Sequence, residues 1–458
     1  MFFIGKKRMH FIGIGGAGMY PLAEVMVMNG HSVSGSDILR SDATERLASL
    51  NVHIQYNHTP DLVKQSELVV YSSAIKPDNP ELVYAHQNNI ACMKRAAILG
   101  DIMRAFLSIG VAGTHGKTTT TSLIGSIFRD AGHDPMVIAG GAFKDSESHA
   151  MIGKGRVLIT EADEYDRSFL SMSPFIAVVT NIEADHLDIY TDLADITEAF
   201  VEYINTVPFY GLVVISADDP VSVQILNRIH GSYVTYGIAD TADYRVESVR
   251  FKKGVSECAV LKRNELLGTV TLPLSGMHNI RNALAAIAVA SAMEIPFDQI
   301  ARSLHRFGGI KRRFELLGTE KGITVIDDYA HHPSEITATI DAAKQAGFKR
   351  IIAVFQPHLY SRTRDFSREF AESLSAADLV VVTEIYKARE EPIEGVSGFS
   401  IIEEMHENGF KNTLFTEDIE NIPDCLVEQM QPGDGVILMG AGDIWQIGSA
   451  ILEKIQHG

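Results

Sequence analysis

Cysteine is scarce in this chain: three in 458 residues, Cys92, Cys258 and Cys425, far apart and without a CxxC pair. So few and so scattered, they build neither a disulfide framework nor a zinc site, and a reducing, cytosolic compartment is expected. No apolar run approaches the ~18 residues that a spanning helix needs, so no membrane insertion is expected. At the start of the sequence, Lys6, Lys7 and Arg8 come after a very short apolar run, the reverse of a secretory signal. Positive charge is also short. Forty Lys+Arg against 58 Asp+Glu leave a net charge of −18. Non-specific nucleic-acid binding needs a cationic surface, so no nucleic-acid partner is expected. Phosphate ligands stay compatible with this balance, because a few backbone N–H groups and one Lys can hold a phosphate on an acidic protein. Pro/Ser/Gly-rich linkers, low-complexity tracts and fixed-period repeats are missing too, so domain boundaries must be placed by motif.

What is present is a rhythm. Short Val/Ile-rich runs alternate with segments of helical period. The runs include His10–Ile14, Leu68–Tyr71, Ile109–Ala112, Val157–Thr160, Ile176–Thr180, Leu212–Ile215, Ile323–Ile326, Ile351–Phe355, Leu379–Thr383 and Gly435–Met439. Apolar runs without polar alternation suit strands buried on both faces, as in parallel sheets. Tyr20–Asn29, Lys117–Ala131 and Pro333–Ala346 read as helices between them. The pattern predicts an α/β fold. Tyr244–Leu274 departs from it and reads as an antiparallel meander, followed by a helix over Asn279–Ala292. The length allows two to four domains of ordinary size, ~100–200 residues each.

Gly13-Ile-Gly15-Gly16-Ala17-Gly18 follows the first run and opens a helix, and Asp37 lies 19 residues beyond Gly18, after a second short strand at Ser32–Ser34. These glycines permit a tight turn and let a phosphate approach a helix N-terminus, and Asp37 stands where dinucleotide-binding folds place a ribose-binding acid. The motif indicates a nucleotide-like ligand without choosing between NAD and another.

Gly113-Thr114-His115-Gly116-Lys117-Thr118-Thr119 follows the run Ile109–Ala112 and precedes an apolar helix. In position and composition this is a P-loop: backbone N–H groups wrap the phosphates, Lys117 reaches the outer ones, and the Thr118 hydroxyl suits magnesium. The strict GxxxxGK[ST] spacing needs Gly at position 111, where Val111 stands. Carboxylates cluster where two later runs end, at Glu161-Ala162-Asp163-Glu164 and at Glu183-Ala184-Asp185-His186. Ligands of open α/β sheets sit at such strand ends, and Glu161 and His186 are the leading metal candidates. Asn279 and Asn282 share a helix face and carry the donor and acceptor pair that reads an adenine edge. Asp327-Asp328-Tyr329-Ala330-His331-His332, then Gln356-Pro357-His358 and Arg362-Thr363-Arg364, gather acids, imidazoles and guanidinium groups at one sheet edge. Arg suits carboxylates and phosphates through its planar fork.

Taken in order along nearly the whole chain, these motifs resemble the Mur ligase family, most closely its branch that adds the first alanine. The resemblance implies three α/β domains: a Rossmann-like UDP-sugar domain at 1–107, a P-loop ATPase domain at 108–312, and a Rossmann-like C-terminal domain at 313–458 that completes the ATP and amino-acid site. It implies that ATP joins L-alanine to the lactyl carboxylate of UDP-N-acetylmuramate through an acyl phosphate, an early cytoplasmic step of peptidoglycan synthesis, with Mg2+ (or Mn2+ in its place). It turns the first loop into a UDP site, with Gly13, Gly15, Gly16, Ala17, Gly18, Met19, Ser36, Asp37 and Ser72 as candidates. ATP would meet Gly113 to Thr119, Asn279, Asn282, Arg313 and Asp328. Tyr329, His331 and Arg362 would receive the amino acid. Lys117, His331, Arg362 and Arg364 would act at the reacting centre, and Thr118, Glu161 and His186 would hold the metal. Two departures stand out. Leu359 replaces an Arg that often follows Gln-Pro-His in the family. No Lys lies between Leu187 and Gly211, so the carbamylated Lys used by later-acting relatives is impossible here. The rival readings are the family's ligase that attaches a recycled tripeptide, an NAD-dependent oxidoreductase, and a regulatory P-loop NTPase.

Overall fold

The computed structural model describes residues 5–16, 18–144, 150–187, 189–252, 254–388 and 390–457. Three sheets organise them. In the first, β1 (Arg8–Ile12), β2 (Ser32–Ser36), β3 (His53–Gln55), β4 (Leu68–Tyr71) and β5 (Ala91–Lys94) lie in the order β3-β2-β1-β4-β5, all parallel. The strand order reverses between β1 and β4, which makes a crevice beyond their carboxyl ends. The glycine-rich loop leaves β1 there for helix α1 (Met19–Met28), and Ser72 leaves β4. Helices α2 (Asp42–Ser49), α3 (Pro80–Gln87) and α4 (Arg95–Met103) complete this layer.

The second sheet has ten strands. Its parallel heart is β6 (Leu107–Ala112), β9 (Val157–Glu161), β10 (Ile176–Val179), β11 (Leu212–Ser216) and β12 (Tyr233–Gly237), with the short β7 (Met136–Ile138) and β8 (Ala150–Ile152) at one edge. The order is β12-β11-β10-β6-β9-β7-β8, and β13 (Tyr244–Lys252), β14 (Val255–Lys262) and β15 (Glu265–Leu272) continue it past β12. This is the expected meander. The switch point falls between β6 and β10, so the P-loop and the Asn181–His186 segment emerge side by side. Helix α5 (Lys117–Asp130) starts at the P-loop, and α6 (Leu193–Ile204), α7 (Pro220–Gln224), α8 (Met277–Ala292) and α9 (Phe297–His305) follow.

The third sheet runs β16-β17-β21-β18-β19-β20, from β16 (Glu315–Glu320), β17 (Ile323–Asp328), β18 (Arg350–Phe355), β19 (Leu379–Thr383), β20 (Thr413–Thr416) and β21 (Asp434–Met439). It is parallel except for the β16–β17 hairpin. Helices α10 (Pro333–Ala346) and α11 (Tyr360–Leu374) leave the carboxyl ends of β17 and β18.

All ten expected runs are strands, with ends shifted by two residues or fewer. Those the sequence reading passed over include the short β3 and β7, the inner strand β12, and β16 at a sheet edge. There Leu316 is exposed and the apolar pattern is weak. Contacts divide the chain into two compact units. The first runs through Glu247 and takes in Ala259–Val270 and Arg281–Phe307; the second takes Ser248–Cys258, Thr271–Ile280 and the chain from Gly308 on. Among the described residues, no helix is long and apolar enough to cross a membrane.

Candidate active site

In the first unit, the glycine-rich loop is held from beneath. Gly13 and Ile14 donate their N–H groups to the Ser36 carbonyl at 2.8 and 2.9 Å. Gly15 N–H donates to Asp37 Oδ2 at 2.8 Å, while Asp37 Oδ1 accepts from Ile38 N at 2.8 Å. The acid expected to meet a ribose therefore braces its own loop. The side chains of Met19 and Ser36 are buried, at 2% and 0% exposure. Both belong to the packed interior of the first unit, beneath the loop. Ala17 lies outside the described residues. Arg95, which the sequence reading missed, brings its guanidinium within 3.0 Å of where a Cβ on Gly18 would sit. It places a cation at the start of α1.

The P-loop is four residues long because β6 extends through Ala112. Val111 is a buried strand residue paired with Val178 and Glu161, which explains why no glycine is needed there. Gly113 has φ +136° and Gly116 φ +82°. Gly116 precedes α5 without a capping side chain, so the first N–H groups of that helix are left for an anion. The loop is tied to the neighbouring strand end: His115 N–H donates to Asn181 Oδ1 at 2.9 Å and Glu183 N–H to Thr114 Oγ1 at 2.9 Å. Asn282 reaches the first turn of α5, with Oδ1 accepting from Thr120 Oγ1 at 3.3 Å.

Lys117 Nζ lies 2.9 and 2.8 Å from the two carboxylate oxygens of Glu164, and donates to the Gly113 and Thr114 carbonyls at 2.6 and 3.3 Å. Burial alone would lower the Lys117 pKa, but the charges of Glu164, Asp163 and Glu161 outweigh it and hold the ammonium charged. Burial likewise works against the Glu164 carboxylate, yet Lys117 and His186 keep its pKa below the usual range. His186 Nε2 is 3.5 Å from Glu164 Oε1, and Tyr190 donates its hydroxyl to the Glu164 carbonyl at 2.6 Å. His186 itself has φ +54°, a strained backbone of the kind found at functional sites.

Asp163, Glu164 and His186 each offer a ligand atom, all within 4.8 Å of one another. Two carboxylates and an imidazole suit a hard divalent cation, so the residues fit the expected metal. Glu161, nearby, accepts from Gly140 N at 2.5 Å through Oε1, and its charge reaches Lys117. Asp163 and Glu164 were visible in the sequence as part of a carboxylate-rich strand end, but only the folded chain shows that Glu164 faces Lys117.

In the second unit, the end of β17 carries the expected cluster. Asp328 accepts from the N–H groups of Phe314 and Ala330 at 2.7 and 2.8 Å. Tyr329 lies between two guanidinium groups, Arg312 at 4.9 Å and Arg313 at 5.2 Å from its ring centre. His331 Nδ1 is 2.9 Å from the Tyr329 carbonyl and 3.3 Å from Glu335 Oε2. Glu335, also missed, lies 3.6 Å from Arg313 as well. The rings of His331 and His358 are 6.2 Å apart, and His358 stacks on Tyr386. Arg362 is buried, whereas the Arg364 side chain is 55% exposed and paired with Asp365 at 2.7 Å. Residues two apart do not share a helix face. The structure therefore separates Arg364 from Arg362. Leu359 opens α11 with φ +73° and donates its N–H to the Tyr386 carbonyl at 3.1 Å.

Asp327 is buried beside Arg312 Nε at 3.3 Å, with Oδ1 lacking a hydrogen-bond partner. Burial, helped by Asp328 and Glu315 and opposed by Arg312, pushes its pKa up to about 7. A folded pKa above the unfolded value favours the folded state at low pH, and that contribution is lost as pH rises from about 4 to about 7. Asp327→Asn should therefore gain stability relative to the unsubstituted protein across that window. Unfolding midpoints of the two proteins against pH check this; a gap that closes as pH rises would contradict it.

Known proteins place this arrangement. The model described as "Mur ligase family, catalytic domain" matches residues 8–107, "Mur ligase middle domain" matches 111–290, and "Mur ligase, glutamate ligase domain" matches 312–442. The UDP-N-acetylmuramate–L-alanine ligase of Salinibacter ruber is 47% identical over 454 residues, covering 98% of this chain and 95% of that one. That of Geobacter sulfurreducens is 44% identical, covering 98% of each. Among solved structures, the UDP-N-acetylmuramate-alanine ligase from Thermotoga maritima superposes with a TM-score of 0.84 at 29% identity, over 98% of this chain and 99% of that one. A murein peptide ligase from Psychrobacter arcticus reaches 0.71 at 24% identity, covering 99% of each chain, a likeness of fold.

Proposed function

The chain belongs to the Mur ligase family, and on that premise we propose that it uses ATP to join L-alanine to the lactyl carboxylate of UDP-N-acetylmuramate. The observation that carries the reading is the near full-length identity to ligases named for that reaction. The likeness to the peptide-attaching ligase is weaker, which favours alanine over a preformed tripeptide. An NAD enzyme is disfavoured because both oxygens of Asp37 are engaged with backbone N–H groups.

The chemistry follows from the groups in place. A carboxylate is a poor electrophile, so the γ-phosphoryl group of ATP is transferred to a lactyl carboxylate oxygen, releasing ADP. The alanine amine, once deprotonated, then attacks the acyl carbon. A C–N bond forms, the C–O bond to phosphate breaks, and inorganic phosphate leaves. Lys117, kept charged by its acidic neighbours, offsets charge on the transferring phosphoryl group. The start of α5 and the loop Gly113 to Thr119 receive the phosphates, and Asn279 and Asn282 the adenine. We assign Arg313 and Asp328 to the nucleotide, and Tyr329, His331 and buried Arg362 to the amino acid. The glycine-rich loop, with Asp37 as its brace and Ser72 across the crevice, is assigned to the UDP moiety. Thr118, Glu161 and His186, joined by Asp163 and Glu164, would hold Mg2+ or Mn2+. A cation bound there supplies positive charge to the ATP phosphates. We place domain boundaries near 107 and 312 and the reaction in the cytoplasm, which suits the sparse, unpaired thiols.

The test is incubation with ATP, UDP-N-acetylmuramate and either L-alanine or the tripeptide, read by mass and by phosphate release. Alanine should give the amide with ADP and phosphate, and phosphate release should need both co-substrates. Product with the tripeptide alone would overturn the choice of amine.

A further inference from the structure

Beneath the glycine-rich loop lies a buried carboxylate that the reaction does not use. Glu81 is in the first turn of α3 and is 0% exposed. Four side chains, three from strands of the first sheet and one from the loop after β3, converge on it. His10 Nε2, from β1, is 2.9 Å from Oε1 and His58 Nδ1 is 2.6 Å from Oε2. Ser36, from β2, donates its hydroxyl to Oε2 at 2.6 Å, and Gln55, from β3, donates to Oε1 at 3.0 Å. Burial pushes against its charge, and the bonds from His10, Ser36 and His58 hold it ionised. A buried carboxylate is a costly way to fill a core, where an apolar side chain of similar volume would serve stability as well.

Ser36 connects this cluster to the loop. Its hydroxyl is tied to Glu81, and its carbonyl accepts from both Gly13 and Ile14. The next residue, Asp37, accepts from Gly15, and its own N–H donates to the Gln55 carbonyl at 3.0 Å. Gln55 in turn donates to Glu81. The N–H groups of Gly13, Ile14 and Gly15 therefore all donate to Ser36, which Glu81 holds directly, or to its neighbour Asp37.

We propose that Glu81 is a positioning residue for the UDP-sugar: without touching the ligand, it fixes the Ser36–Asp37 turn and so sets the loop that receives the diphosphate. The inference rests on the assignment of that loop to the UDP moiety. Its loss should weaken UDP-sugar binding and leave ATP and alanine alone, because the P-loop hangs from a different sheet.

The experiment measures KM for each of the three substrates, kcat, and direct binding of UDP-N-acetylmuramate by calorimetry. The proteins are the full chain and its Glu81→Ala, Glu81→Gln and Ser36→Ala variants. A lost bond to a charged group is worth roughly tenfold in affinity, so Glu81→Ala should raise KM and Kd for the UDP-sugar by roughly that factor or more. Glu81→Gln, which keeps the shape and can still accept from Gln55 and donate to Ser36, should recover part of the loss. Ser36→Ala should weaken binding less than Glu81→Ala, and combined with Glu81→Gln should add less than its separate effect, since both act through one link. A merely structural role would lower the melting temperature and the active fraction without moving one KM selectively. Unchanged UDP-sugar affinity in Glu81→Ala, or in Ser36→Ala and Glu81→Gln if the alanine variant does not fold, overturns the proposal. So does an equal rise in all three KM values. If the unsubstituted protein itself fails to bind the UDP-sugar, the functional reading falls and takes this inference with it, an outcome distinct from the preceding ones.

Discussion

Lys117→Ala should lower turnover by about 10³-fold or more while the chain stays folded, the scale seen when a preorganised charge on a transferring group is removed. The ammonium is held by both oxygens of Glu164 and by two carbonyls of its own loop, at 2.6 to 3.3 Å. No other described cation is bonded to that carboxylate except His186, at 3.5 Å. The same geometry predicts a cost in stability. Removing one member of a buried pair leaves a charge uncompensated, worth up to about 3–5 kcal/mol. Glu164 can relieve part of that by taking up a proton or leaning on His186. The melting temperature of Lys117→Ala should therefore fall, and Lys117→Ala with Glu164→Gln should regain some of the loss without regaining activity. Near-normal phosphate release by Lys117→Ala would remove Lys117 from the chemistry.

Gly113→Ala should be the more damaging change to the fold. A Cβ at Gly113 would lie 1.9 Å from Thr180 Oγ1, 3.0 Å from Thr180 N and 3.1 Å from Asn181 N, at φ +136°. Two of those atoms are backbone, at the end of a strand buried along its length, and cannot step aside. At Gly116 the added Cβ would meet Asn282 Oδ1 at 2.6 Å, the tip of a side chain that can turn, at φ +82°. Left-handed strain alone costs about 1–2 kcal/mol, so Gly116→Ala should lose about that much stability. Gly113→Ala should lose clearly more, of the order that marks severe single substitutions, above about 4 kcal/mol. Denaturant midpoints order the two. Gly113→Ala as stable as Gly116→Ala would show that the junction of β6 and the P-loop yields more easily than its contacts imply. Both should impair ATP use, Gly116→Ala through displacement of Asn282.

How far the residues spoke for themselves depended on how local each signal was. The Val/Ile runs became strands because an apolar run buried on both faces has few other places to go. The meander at Tyr244–Leu272 was legible from its turns. The two glycine loops announced phosphate sites because strand, turn and helix N-terminus lie together in sequence. Val111 broke the strict motif, and the structure supplies the reason: the strand runs two residues further than that spacing assumes.

Pairings across the chain were not legible in this way. Asp37 and Ser36 had the right types for a ligand, but their partners turned out to be Gly15 and Glu81. Arg362 and Arg364 looked alike as neighbours, until helix geometry buried one and exposed the other. Glu164 passed as one carboxylate among several, until 47 residues of chain folded back to set it on Lys117. The sequence by itself determined the elements, the two phosphate loops and the chemistry they suit, because those depend on backbone preference and apolar periodicity within a few residues. Only the tertiary structure decided which carboxylate meets which cation and which face is buried. Those outcomes depend on distances between segments far apart in the chain, and on desolvation that a lone residue does not feel.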